Sequence, residues 1–85
     1  MRSVNQIEEK IAILISEVSL GYFSKDQVKP TQSIIGDLGL DSLDYATIML
    51  GCEEWLQSKV DEASVDWRKV TTVHELALLL YRTQQ

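Results

Sequence analysis

Apolar residues recur at three- and four-residue steps in three stretches of the chain, separated by segments in which that period is lost. In the first stretch Val4, Ile7, Ile11, Leu14, Ile15 and Val18 share one face of a helical wheel, with Ile13 off the stripe. Ser3 and Gln6 have the spacing of a capping box, in which each side chain satisfies the other residue's free backbone N–H. A helix over about residues 4–20 is predicted, with Gly21 as its stop. Between Tyr22 and Leu40 the period disappears and Lys29-Pro30, Gly36 and Gly39 mark a loop. A loop this long in a small domain has to be pinned. Val28, Ile34, Ile35, Leu38 and Leu40 are the predicted anchors, with Tyr22 and Phe23 at its start.

A second helix is predicted over about residues 42–58, with Asp41 as N-cap and Asp41 and Asp44 complementing the positive end of its dipole. Tyr45, Ile48, Met49, Cys52, Trp55 and Leu56 fall on one side, the expected core face. Burial of Ile48 and of Leu56 should each contribute roughly 1.5–3 kcal/mol. Leu43, Ala46, Thr47 and Leu50 fall on the other side, with Glu53 and Glu54 at its lower end. A bundle helix needs only one apolar stripe, so the second reads either as a docking face or as scattered surface residues covered in part by the loop. Further along, Ser64 can cap a short helix over about residues 65–69 carrying Val65 and Trp67, closed by Val70. Thr72 and Glu75 form another capping box, opening a last helix over about residues 73–83 through Leu76, Ala77, Leu79 and Leu80. The predicted fold is all-α: a small four-helix bundle of three longer helices and one short one.

Composition narrows the function classes. The chain has 85 residues, enough for one domain, 1–85. A hydrophobic fraction of 45% with 25% charged residues argues against disorder. The net charge of −5 disfavours nucleic acid, whose phosphates call for clustered Lys and Arg, and points to basic protein partners instead. One cysteine, Cys52, and one histidine, His74, exclude an internal disulfide and a cysteine-rich zinc site. No signal-peptide pattern or long apolar run is visible, so a cytoplasmic protein without membrane attachment is expected. His74 reads as a surface residue, Cys52 as an inert core thiol, and Trp55 and Trp67 as packing residues, with a lesser possibility that one lines a cleft.

The chemistry gathers in Asp37-Leu38-Gly39-Leu40-Asp41-Ser42-Leu43-Asp44. This segment resembles the phosphopantetheine attachment motif of acyl carrier proteins, DLGxDSLD. Length, helix order and the stretch Val70-Thr71-Thr72-Val73 extend the resemblance over nearly the whole chain. It implies that Ser42 carries a covalent 4'-phosphopantetheine arm, delivered from coenzyme A by a phosphopantetheinyl transferase. The arm's thiol would hold acyl intermediates as thioesters for partner biosynthetic enzymes with basic patches. Asp41, Leu43, Asp44, Ala46, Thr47, Leu50, Glu53 and Glu54 would form the docking surface. The resemblance implies a monomeric carrier that has no catalytic or metal-ligating residues.

The residues agree with that assignment. An aspartate cap leaves the hydroxyl at the first helical position free, and a phosphodiester there lies beside unpaired N–H groups. A catalytic serine is disfavoured, because Ser42 lacks the glycines of a nucleophile elbow and His74 is a weak candidate base. The chain departs from fatty-acid carriers at Thr47, Gly51 and Trp55, where Glu, Ala and Glu are common. It also has Val60-Asp61 in place of an Ile-Pro, in a connection about two residues longer than usual. These departures lean towards specialised metabolism, such as polyketide-type or amino-acid-loading biosynthesis. The alternatives are a discrete aminoacyl or peptidyl carrier, although the GGxSL style is absent, and an unmodified helical interaction module.

Overall fold

The computed structural model describes residues 1–84; Gln85, the last residue of the expected domain, lies outside them. Three α-helices form the frame: α1 (Val4–Val18), α2 (Ser42–Leu56) and α3 (Val73–Thr83). Each begins with a reciprocal capping box, Ser3 with Gln6, Asp41 with Asp44 and Thr72 with Glu75. The all-α class and the long connection between the first two helices are as expected. No helix among the described residues is long and apolar enough to cross a membrane.

The expected short fourth helix is replaced by two separate 3₁₀ turns, Glu62–Ser64 and Trp67–Lys69. Val65 and Trp67 are spaced by two, which suits an extended segment better than a helix if both are to face inward. Asp66 rather than Ser64 caps the second turn, accepting from the Arg68 amide at 3.2 Å. Ser64 sits in the first turn, and its hydroxyl donates to the Asp61 carbonyl at 2.9 Å. The polypeptide thus spans the distance from α2 to α3 largely extended.

Helix ends differ from expectation for a backbone reason. α2 stops at Leu56 rather than near residue 58, because Gln57 adopts φ +54° and the Ser58 amide turns back to the Glu53 carbonyl. α1 stops at Val18 rather than at residue 20. The left-handed turn there begins on Leu20 (φ +55°), with Gly21 (φ +83°) following it. Leu20 is 94% exposed, so burial does not compensate the steric cost of that conformation. Leu20→Gly should therefore raise unfolding stability by about 0.5–1 kcal/mol, the relief being partly offset by glycine's greater freedom in the unfolded chain; urea melts at neutral pH measure it.

Ile7, Ile11 and Ile15 of α1 meet Ile48 and Cys52 of α2 and Val73, Leu76 and Leu80 of α3, all fully buried. α1 is the shared partner, packing against both other helices. It runs antiparallel to α2: Lys10 and Arg2 lie over the Trp55 ring, 5.7 and 4.7 Å from its centroid, while Leu14 abuts Gly51. A Cβ on Gly51 would come within 3.1 Å of Leu14, so this helical glycine permits the close approach of α1. Two of the departures noted in the sequence, Gly51 and Trp55, are thus explained by packing between α1 and α2.

The long loop is stitched to the start of α3. Carbonyls of Pro30 and Gln32 accept from the amides of His74 and Val73, and the Ile34 amide donates to Thr71, flanking an isolated antiparallel bridge between Ser33 and Thr72. Val28, Ile34, Leu38 and Leu40 are buried, as an anchored loop requires. Ile35 is not an anchor: it stands 52% exposed, because a tight turn around residues 33–38 directs its neighbours Ile34 and Leu38 inward instead. Tyr22 is likewise exposed and touches the core only through an edge-to-face contact with Phe23, which packs against it.

Candidate functional site: the head of the second helix

The segment from residue 37 to residue 44 can be followed one side chain at a time. Asp37 accepts from the Ser33 amide at 2.7 Å while its own amide donates to Ser33 Oγ at 2.8 Å, which closes the turn before the motif. Leu38 and Leu40 are buried in the core. Between them Gly39 has φ +69°, a conformation that an L side chain adopts only at a cost. Asp41 Oδ1 accepts from the Asp44 amide at 2.8 Å, and Asp44 Oδ2 faces the Asp41 amide at 3.4 Å. Two residues remain. Ser42 is exposed at the first helical position, with no hydrogen bond to its hydroxyl among the described residues, and Leu43 is 73% exposed.

The outer face of α2 continues from Leu43 through Ala46, Thr47 and Leu50, all exposed. Thr47 donates its hydroxyl back to the Leu43 carbonyl at 2.9 Å. Glu54 is exposed at the lower end. Glu53 is less available, because its carboxylate accepts from the Val60 amide at 2.7 Å and fastens the connection after α2. Asp44, Glu53 and Glu54 are the charged residues of α2, which has no Lys or Arg. The face is apolar with acidic ends.

Beside Ser42 lies a groove of about 530 Å³, lined by Ser33, Ile35 and Gly36 of the loop, Ser42 and Tyr45 of α2, and Trp67, Val70 and Thr71. Of these, the sequence singled out Ser42 for chemistry and named Trp67 as a possible cleft residue. Ile35 was expected inside, and Ser33, Gly36 and Thr71 were not foreseen. The one available signal was the Ser33–Asp37 pair, whose spacing of four differs from that of a helical capping box. Gly36 keeps the turn closed, since a Cβ there would lie 2.6 Å from Ser33 Oγ.

Tyr45 ties the groove together. Its ring meets Trp67 edge to face at 6.3 Å, and its hydroxyl donates to the Val70 carbonyl at 2.9 Å. Burial, with a smaller contribution from the charge of Glu75, raises the phenol's pKa from 10.0 to about 12. Folding therefore favours the neutral phenol, and that contribution is complete below about pH 10 and lost as pH rises through about 12. Tyr45→Phe should cost about 1 kcal/mol near neutrality through the lost hydrogen bond and should lessen the decline in stability between pH 10 and 12; denaturant melts of both proteins across that range read both effects.

His74 is exposed, as expected, and its Nδ1 lies 2.6 Å from Glu8 Oε2 on α1. Cys52 is fully buried, and burial pushes its thiol pKa from 9.0 to about 12 despite the opposing charge of Lys10. Glu75 accepts from the amides of Thr72 and Thr71 and from the Thr71 hydroxyl, which holds its carboxyl below the usual range. Searched against models of known protein families, the chain matches none.

Proposed function

We propose that this protein is a carrier in which Ser42 bears a 4'-phosphopantetheine arm and presents thioester-linked acyl groups to partner enzymes. One observation carries the reading. Between residues 37 and 44 every side chain is used by the fold except Ser42 and Leu43, an exposed unbonded hydroxyl and an exposed apolar neighbour. The exposure of these two residues, beside six that serve the fold, supports an external partner for them.

In the loading step, Ser42 Oγ forms a bond to the phosphorus that bears the pantetheine half of coenzyme A. The pyrophosphate linkage breaks, the nucleotide half leaves with its phosphate, and the serine proton is lost to the transferase or solvent. Asp41 and Asp44 direct their carboxylates into the capping box, so the new phosphodiester meets the open N-terminal amides of α2. The protein itself makes and breaks no bond in the cargo. Its contribution is tethering, which raises the local concentration of the acyl group at each docked active site. Leu43, Ala46 and Leu50 supply a small apolar contact, and the acidic ends of the face steer enzymes that bring Arg or Lys.

Incubation with coenzyme A and a broad-specificity phosphopantetheinyl transferase, followed by intact-mass measurement, tests the reading. A gain of one phosphopantetheine per chain is expected. No gain would leave the outer face of α2 as an unmodified interaction surface and defeat the carrier assignment.

A further inference from the structure

α1 ends in a hydrogen-bond pattern that glycine usually serves. The Leu20 amide donates to the Glu17 carbonyl at 3.1 Å and the Gly21 amide to the Ser16 carbonyl at 2.9 Å, the paired closure of a Schellman motif. The residue in the left-handed conformation at such a closure is most often glycine, yet here it is Leu20, at φ +55°. Its side chain is 94% exposed, so no burial offsets the strain. Two residues on, Tyr22 is 79% exposed, its ring meeting Phe23 edge to face. Apart from Met1, Leu20, Tyr22 and Leu43 are the most exposed large apolar side chains among the described residues.

Their position along the bundle ties Leu20 and Tyr22 to Ser42. α1 runs antiparallel to α2 with Leu14 against Gly51. At about 1.5 Å of rise per residue, Leu20 lies about 9 Å beyond Leu14, and the same distance back from Gly51 reaches Tyr45, in the first turn of α2. The strained turn therefore stands at the end of the bundle that bears Ser42 and Leu43. The charge there has one sign. Glu17 is exposed on the last turn of α1, and between Pro30 and Lys59 the chain carries Asp37, Asp41, Asp44, Glu53 and Glu54 with no Lys or Arg. Lys25, the cation nearest to Tyr22 along the chain, is paired with Glu9 at 3.3 Å.

Building on the carrier reading, we infer that Leu20 and Tyr22 form a second contact site for the phosphopantetheinyl transferase that loads Ser42, seated in an apolar pocket of that enzyme bordered by Lys or Arg. An enzyme that brings coenzyme A to Ser42 covers this end of the bundle, whereas the strain at Leu20 brings the isolated protein no packing. A side chain held outward by a fixed turn also has less freedom to lose on docking, so its ordering cost falls in folding rather than in association.

The test measures loading rates by intact mass, with a broad-specificity transferase and saturating coenzyme A, over a range of carrier concentrations. Leu20→Gly relaxes the turn and removes the contact. Leu20→Asn keeps a side chain that tolerates the left-handed conformation but is polar. Each should raise KM for the carrier at least about fivefold with kcat within about twofold of the parent, the split expected when binding alone is lost. Tyr22→Ser should do the same. Gln57→Gly is the control: it relieves the other left-handed non-glycine residue, φ +54°, at the far end of α2, and should load as the parent does. Because Leu20→Gly should be at least as stable as the parent, a raised KM in that variant does not come from unfolding. Unchanged KM in the Leu20 variants or in Tyr22→Ser would overturn the inference, as would an equal rise in Gln57→Gly. A parent that gains no mass at all defeats the carrier reading, and this inference with it.

Discussion

Ser42→Ala should leave the protein folded and abolish its loading. The parent should gain one phosphopantetheine in the presence of transferase and coenzyme A, and the variant none. The fold is expected to tolerate the change because Ser42 is exposed, follows the N-cap rather than serving as it, and donates to no acceptor among the described residues. Alanine also has the higher helix propensity, by a few tenths of a kcal/mol, so the melting midpoint should be unchanged or slightly raised. Asp41→Ala makes the useful contrast. It removes the cap that receives the Asp44 amide and should cost about 1 kcal/mol while keeping the hydroxyl. Loss of loading with full stability in one variant, and retained hydroxyl with reduced stability in the other, separates chemistry from architecture. A mass gain that survives in Ser42→Ala would transfer the arm to another residue and undo the site assignment.

The largest effect on stability is expected at Ile48, two positions from a residue where almost none is expected. Ile48 is fully buried in the core cluster, whereas Leu50 is 53% exposed on the outer face. Ile48→Ala removes buried methyl and methylene groups and leaves a cavity, a loss of about 2–5 kcal/mol. A domain of this size has only about 4–13 kcal/mol in total, so the variant should be largely destabilised and partly unfolded on mild warming. Leu50→Ala should stay within about 0.5 kcal/mol of the parent. If Leu50 serves partner enzymes, its substitution should instead slow acyl transfer at unchanged stability. Equal denaturation midpoints for the two variants would contradict the two-faced description of α2.

The amphipathic stripes of α1 and α3 were legible because three- and four-residue spacing and capping boxes are local properties, and local contacts suffice to form a helix end. The placement of Ser42 at the first helical position behind an aspartate cap was legible for a similar reason: cap, hydroxyl and first turn are consecutive in the chain. The groove was not, because Ser33, Tyr45 and Trp67 become neighbours only when the loop is bridged to Thr72 and the segment after α2 runs extended. Ile35 illustrates the limit. An apolar residue in an aperiodic segment can serve as an anchor or as a lining, and which one depends on the turn that Ser33 and Asp37 close between them. Of the short helix expected over 65–69 only the 3₁₀ turn Trp67–Lys69 forms, since Val65 and Trp67 have the spacing of an extended chain. Gly51, in the sequence only a departure from the fatty-acid carriers, is accounted for by Leu14 against it, and the packing role expected of Trp55 by Arg2 and Lys10 over its ring.

A thioester is vulnerable to any other thiol nearby, and Cys52 is the chain's own. It lies on the same helix as Ser42, yet it is sealed inside the bundle and its thiol stays protonated until about pH 12. Exchange requires a thiolate that can reach the carbonyl carbon. The proposed carrier would therefore be insulated against itself: an acyl group on the arm would find no accessible thiol of its own chain to migrate to.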